Sequence, residues 1–474
     1  MASPDMPQGP TRIERDSMGE LEVPTEALYG ASTQRAVKNF PISGQGLSRG
    51  MVRALGLVKL SCARVNRELG LLEKPIADAV EKAAREVADG HLDAHFVVDV
   101  FQTGSGTSSN MNANEVIANR AAQILGGKAG DRSVHPNDHV NRGQSSNDVF
   151  PTAIRIAALE AFEKEVIPAL THLQGELEQK AKAFHHIVKI ARTHLQDAVP
   201  LRLGDELGGY ASQIAHGIEH VRAALPHLRE LPIGGTACGT GLNTPRSFGR
   251  RVAAELGSQI SLETCEATNH FEAQGAQDAA VAASSALKTV AVSMMKIAND
   301  IRLLAMGPRC GLAELKIPAV QPGSSIMPGK VNPVLCEAVI QVGAQVQGCD
   351  LAVQLGGQWS QLDLNTMMPV IARNLLESAH LIARSARVFA DGCVAGLEAD
   401  EARCRELVEK SLALVTALNP VVGYDTAAEI AYEAHKGGKT LREVLQARGF
   451  DAAEMERLLD PSTMTDPDDD PPGA

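Results

Sequence analysis

Aromatic side chains make up only 3% of the 474 residues, with a single Trp. A chain this poor in rings has little with which to stack nucleobases. Lys and Arg (45) fall short of Asp and Glu (57), and the resulting net charge of −12 repels polyanions. Nucleic acid is thereby excluded as a partner. The eight Cys form no CxxC pair, no zinc-finger spacing and no dense framework, and read as reduced thiols of a cytoplasmic protein. No charge-free apolar run reaches the roughly 18 residues of a membrane span, and the first ten residues have neither a basic nor an apolar stretch. Neither membrane nor secretion is expected. Also missing are the alternating strand and helix patterns of a doubly wound sheet, and any internal repeat.

What is abundant is Ala, Leu, Val, Ile and Met in helical register. Ala283, Leu287, Val290, Met294, Ile297, Ile301 and Leu304 recur at alternating spacings of four and three, a seam closed by Gly307-Pro308. Leu335, Val339, Val342, Val346, Cys349 and Val353 repeat the pattern, with Asn332 as expected cap, Pro333 at the first helical position and an end at Gly356-Gly357. Met51, Leu55, Val58, Cys62, Val65 and Leu69 form a third seam, stopping at Gly70. Shorter seams run from Leu159 to Leu170 and from Leu207 to Leu225. Long helices with narrow apolar stripes predict an all-α protein built on an antiparallel bundle, and seams of this length predict packing against further copies of the chain.

Three polar loops interrupt the helices: Gln102–Asn110, His135–Asp148 and Gln321–Pro333. Each runs into a helical pattern, where free N–H groups and the positive dipole end suit small anions. The competing reading, that Ser, Asn and Gly only cap and turn there, weakens when three such loops share one chain. Five of the acids lie in the last fifteen residues, leaving −7 for the rest once they are subtracted from −12, so an anionic substrate needs a locally positive pocket. Two further patterns carry less. His216-Gly-Ile-Glu-His220 fits an inverted zinc-protease motif but lacks a further acid nearby. Gly323 to Gly329-Lys330 departs from a phosphate-binding loop, with one residue too many between the glycines and Val331 where Ser or Thr is required.

The segment Gly323-Ser-Ser-Ile-Met-Pro-Gly-Lys-Val-Asn-Pro333 resembles the signature of the fumarase/aspartase superfamily. The resemblance extends from Arg12-Ile-Glu-Arg-Asp-Ser-Met-Gly19, through Ala27-Leu-Tyr-Gly30 and Arg35-Ala-Val-Lys-Asn-Phe-Pro-Ile-Ser43, to Leu418-Asn-Pro-Val-Val-Gly-Tyr424 and Gly438-Lys-Thr-Leu-Arg-Glu443, nearly everything except the two tails. Within the superfamily the class II fumarases are most similar. Their motif carries His where aspartases carry Gln, and Arg192-Thr-His-Leu-Gln-Asp-Ala198 places His194 there.

The resemblance implies reversible anti addition of water across fumarate to give L-malate, without metal or cofactor. Taking a C3 proton from malate requires a strong base, and the carbanion must spread into a carboxylate gripped by positive charge and N–H donors. By resemblance Ser324 is that base, as an alkoxide, which demands that Lys330, loop amides and a helix N-terminus stabilise the oxyanion. His194 is the implied acid, directly or through a water, with Glu337 as its acidic partner. A first-turn acid complementing the helix dipole is an equally sound reading of Glu337. Ser105, Gly106, Thr107, Ser145, Ser146, Asn147, Thr193, Ser325, Lys330, Val331 and Asn332 are the implied substrate-binding set. His135, Pro136, Asn137 and Asp138 resemble a second dicarboxylate site; kinetics unchanged by loss of His135 would argue against a role in ferrying substrate.

The implied fold is an all-α three-domain chain, here with a tail at 1–10, an N-terminal domain at 11–145, a central helical bundle at 146–400, a small C-terminal domain at 401–460 and an acidic tail at 461–474. Four copies join their bundles, each active site drawing on three chains. Two departures stand outside the catalytic motifs: Asp363-Leu-Asn365, where fumarases usually show Glu-Leu-Asn, and Val421-Val422, where His-Ile is frequent. The rival readings are an aspartate ammonia-lyase, which would not need His194, and a non-catalytic structural protein on the same scaffold.

Overall fold

A computed structural model describes residues 9–467. The body of the chain is helical as expected, and five two-stranded sheets among the described residues are additions that the helical periodicity did not signal. The three seams form the helices Asp278–Leu304, Val334–Gln358 and Arg49–Glu68. All seven positions of the first seam are at most 8% exposed. Ser48 caps the third, accepting from the Met51 amide, and Gly70 adopts φ +70 just past its end. The second differs from expectation at both ends. It starts at Val334 because the Asn332 side chain is spent elsewhere, donating to the Gly323 carbonyl at 2.6 Å, and it continues through Gly356-Gly357 to Gln358.

The described chain divides into two compact units. One comprises residues 9–168, Gly217–Ala291 and Val342–Ala383. It opens with the antiparallel hairpin Thr11–Asp16 and Gly19–Pro24, followed by helices that enclose a core of Val52, Leu60, Val80, Val87, Val116 and Ile117. Helices Arg49–Glu68 and Lys74–Ala88 cross closely at Gly56, where a Cβ would lie 2.8 Å from the Ala88 amide nitrogen. Buried Glu115 receives the amides of Gly30, Ser32 and Thr33 and the Thr33 hydroxyl, closing the N-terminus of helix Ala31–Asn39. Four donors to one carboxylate offset the desolvation that pushes its pKa up.

The other unit comprises Ala169–His216, Val292–Gln341 and residues 384–467. It contains the hairpin Val188–Thr193 and Gln196–Arg202 and a small core of Ile190, Val408, Leu414, Leu418, Ile430, Val444 and Leu445. Of the expected tails, residues 1–8 and 468–474 lie outside the described residues. The stretch 461–467 is held by a turn at Pro461–Met464, capped by Asp460, and by a bidentate pair between Arg202 and Asp466. The acidic composition gave no hint of that anchor. Asp278–Leu304 is apolar and long enough to cross a bilayer by length and composition alone. Half of its apolar window is buried in this chain, and it carries Lys288, paired with Asp350 at 2.6 Å.

Candidate active site

In the unit that contains Ser324, the signature segment folds back on itself. The Gly323 amide donates to the Lys330 carbonyl at 2.8 Å, the Lys330 amide to the Met327 carbonyl at 3.3 Å, and Asn332 closes the turn through Gly323. At its centre the Ser324 hydroxyl oxygen accepts two backbone N–H bonds, from Ile326 at 3.2 Å and Met327 at 3.0 Å. Donors aimed at that oxygen favour its charged form, which is what an alkoxide requires. Ser324 is half-buried and lines a hollow with Gln321, Gly323, Met327 and Lys330. The Lys330 side chain is exposed and has no ion-pair partner among the described residues, so its charge is available to an anion. Ser325 and Val331 are also exposed in this turn.

His194 occupies the tip of the second unit's hairpin. Thr193 pairs with Gln196, so His194 and Leu195 form a two-residue turn, with φ of 58° and 60°. Such turns need positive φ at both positions and normally use Asn-Gly. Placing His and Leu there strains the backbone, and the strain presents both side chains to solvent, Leu195 at 78% exposure. A satisfied core histidine would look different. Behind the turn, Glu314 is fully buried and receives Arg192 Nη1 at 2.8 Å and Lys189 Nζ at 3.5 Å, and Lys189 also meets Glu206 at 3.1 Å. This charge network pins the strand that leads to His194. Glu337 lies in the first turn of its helix, and no hydrogen bond or ion pair joins it to His194 within the described chain.

The other unit assembles the remaining loop residues. Ser105 and Thr107 share a hydrogen bond of 2.7 Å, and Thr107 and Ser146 another of 2.7 Å. Thr107 begins one helix and Ser146 another, so a chain of hydroxyls links two helix N-termini, a setting suited to a carboxylate. Gly106 is required between them: its φ is +73, and a Cβ there would fall 2.2 Å from Phe150. Ser145 caps the second helix in a reciprocal box with Asp148. Asn147 donates to the Ala237 carbonyl at 2.8 Å. Pro136–Val140 forms a single wide turn capped by His135, whose ring accepts the amides of Asn137 and Asp138.

Sequence reasoning missed the buried groups beneath this cluster. Asp148 takes the amides of Ser145, Gly234 and Thr236, while burial pushes its pKa up to about 6. The glycine-rich stretch after Pro232 thus serves as a carboxylate nest. Lys59, fully buried, donates to Asn141 and Gln144. Its signal was present, because Leu55, Lys59, Cys62 and Asn66 share one helical stripe in which a lysine has no place unless it is partnered. No cluster of three His, Cys, Asp or Glu side chains that could hold a metal ion occurs among the described residues, and the His216 and His220 pattern is part of helix Leu203–Arg229.

Comparison with known proteins gives the same direction as the motifs. The lyase family matches residues 19–348, and the fumarase C C-terminal family matches residues 414–466. The class II fumarate hydratase of Corynebacterium glutamicum is 56% identical over 92% of this chain and 91% of its own. That of Mycobacterium tuberculosis is 55% identical over 95% of each. Among solved structures, the class II fumarase of Schistosoma mansoni superposes with a TM-score of 0.94 at 39% identity, covering 96% of this chain and 99% of that one. A fumarate lyase:delta crystallin from Brucella melitensis, bound to cobalt, gives 0.93 at 46% identity, covering 96% and 100%. The chain belongs to the class II fumarate hydratase family.

Proposed function

We propose that this protein catalyses the reversible hydration of fumarate to L-malate by anti addition, through a carbanion stabilised as an aci-carboxylate. The observation that carries the chemistry is the Ser324 oxygen, which accepts two backbone amides beside the unpaired Lys330. In the proposed mechanism the Ser324 alkoxide takes the C3 proton of malate, and Lys330 and Asn332, with Ser325 and Val331 in the same turn, hold the carboxylate in which negative charge accumulates. Thr107, Ser105, Gly106, Ser145, Ser146, Asn147 and Thr193 orient the rest of the dicarboxylate. His194, kept charged or oriented by Glu337, delivers the proton with which the hydroxyl leaves. Proton transfer and charge stabilisation of this kind need no cofactor. His135–Asp138 remains a proposed second dicarboxylate site. Decay of fumarate absorbance in ammonium-free buffer tests the activity, and decay only with ammonium would point to an aspartate ammonia-lyase instead.

We also propose a cytoplasmic homotetramer whose active sites are shared between chains. Leu351, Leu355 and Trp359, spaced by four on one face of helix Val334–Gln358 and just past it, are 57%, 45% and 60% exposed, an apolar stripe that a second copy would cover. His194 projects on an exposed turn, and Glu337 of the same chain makes no bond to it, as expected if the partnership forms between chains. Sedimentation equilibrium should return four chain masses; a monomer with full activity would remove the shared-site proposal. The three-domain division at 11–145, 146–400 and 401–460 draws support from the separate C-terminal family match at 414–466. Eight free thiols accord with a reducing compartment.

A further inference from the structure

Lys59 is 0% exposed, and its ammonium forms no ion pair among the described residues. Nζ donates to the side-chain carbonyls of Asn141 and Gln144, both at 2.9 Å. Amide oxygens compensate a buried charge only in part, and burial pushes the Lys59 pKa down to about 7. Asp148 attracts the ammonium electrostatically, but its hydrogen bonds go to three backbone amides. If packing were all that this position required, Leu or Met would fill it without that cost.

What the ammonium holds is the turn that leads into Ser145. Asn141 donates from its Nδ2 to the Gln144 carbonyl, and Gln144 donates from its Nε2 to the Val140 and Arg142 carbonyls. Asn110 adds a bond to the same Asn141 oxygen at 3.2 Å, and Asn66, two turns along from Lys59, donates to the Arg142 carbonyl. Apart from the Asn66 bond, these side-chain bonds all run through Asn141 and Gln144, the two amides whose oxygens Lys59 grips. Gln144 is followed directly by Ser145, the cap of the helix whose first residues are Ser146 and Asn147.

We propose that Lys59 is a positioning residue for the dicarboxylate-binding turn: by clamping Asn141 and Gln144 it fixes Ser145, Ser146 and Asn147 at the spacing a substrate carboxylate requires. This rests on the substrate-binding role proposed above for those three residues. Their hydroxyl and amide groups bind substrate in the ground state and in the transition state alike, so loosening them raises KM more than it lowers kcat.

Steady-state kinetics of Lys59→Met, which keeps the stem and removes the ammonium, tests this. The KM for fumarate should rise about tenfold or more while kcat stays within about threefold and the melting temperature stays close to that of the wild type. Asn141→Ala should raise KM in the same way, and the double variant should be no worse than the poorer single, since both remove one clamp. An unchanged KM in Lys59→Met, or strictly additive losses, overturns the proposal. Should Lys59→Met fail to fold, Asn141→Ala and Gln144→Ala carry the test from the turn side, and an unchanged KM in both overturns it equally. A wild-type protein inert toward fumarate would remove the functional reading as well, whereas an active wild type with an unmoved KM removes only the role of Lys59.

Discussion

Ser324→Ala should lower kcat for fumarate hydration by about 10³-fold or more and leave KM within about threefold. The side chain lost is a single oxygen, so the effect depends on what that oxygen does. It accepts the Ile326 and Met327 amides and lies in the same turn as the unpaired Lys330, an environment that lowers the energy of an alkoxide relative to the hydroxyl. If that alkoxide takes the C3 proton, removing it costs the transition state about 4 kcal/mol, since each factor of ten in rate is about 1.4 kcal/mol. The carboxylate grip remains, because Lys330 and Asn332 are untouched. Steady-state kinetics on fumarate and malate reads both constants. A variant retaining a tenth of wild-type kcat would assign the base elsewhere, and a large rise in KM with kcat preserved would make Ser324 a binding group.

Glu314→Gln should cause the largest loss of stability of any single change around the site. Glu314 is 0% exposed, Lys189 is 1% exposed, and Arg192 is largely buried, so the Glu314 carboxylate is shared by two cations removed from water. Gln keeps the shape and removes the charge, leaving Lys189 with Glu206 and Arg192 with no carboxylate partner among the described residues. Breaking a buried pair from one side typically costs about 3–5 kcal/mol, because the surviving charge is stranded. The same strand ends in the strained His194-Leu195 turn, which stays formed only while its surroundings hold it. A marked fall in melting temperature should therefore come with a fall in kcat. Unchanged melting and kinetics would mean that the hairpin is held by its backbone pairing alone.

Much of the helical frame was legible because burial writes itself into period. The Ala283 to Leu304 seam became a buried face of a 27-residue helix, and the Met51 to Leu69 seam ended at its Gly. The loops that converge were also legible: Ser105, Thr107 and Ser146, read from two separate segments, lie in one hydrogen-bonded chain. The hairpin carrying His194 was not, since its turn lacks the Asn or Gly that announces such turns and its strands are only six and seven residues long. Asn332 was misjudged as a cap because the same side chain can close either a helix or a loop, and here the Gly323 carbonyl claims it. Glu314 and the partners of Lys59 escaped for another reason. Glu314 meets Arg192 across 122 residues and Lys59 meets Asn141 across 82, and no local pattern encodes such pairings.

The most direct test of the central claim is proton NMR of the purified protein with fumarate in deuterated, ammonium-free buffer. Hydration by anti addition predicts malate carrying one deuterium at C3, as a single diastereomer. Aspartate formed only after ammonium is added would contradict the assignment of His194 to water chemistry, and fumarate left unchanged in both solutions would return the chain to a structural role on a lyase scaffold.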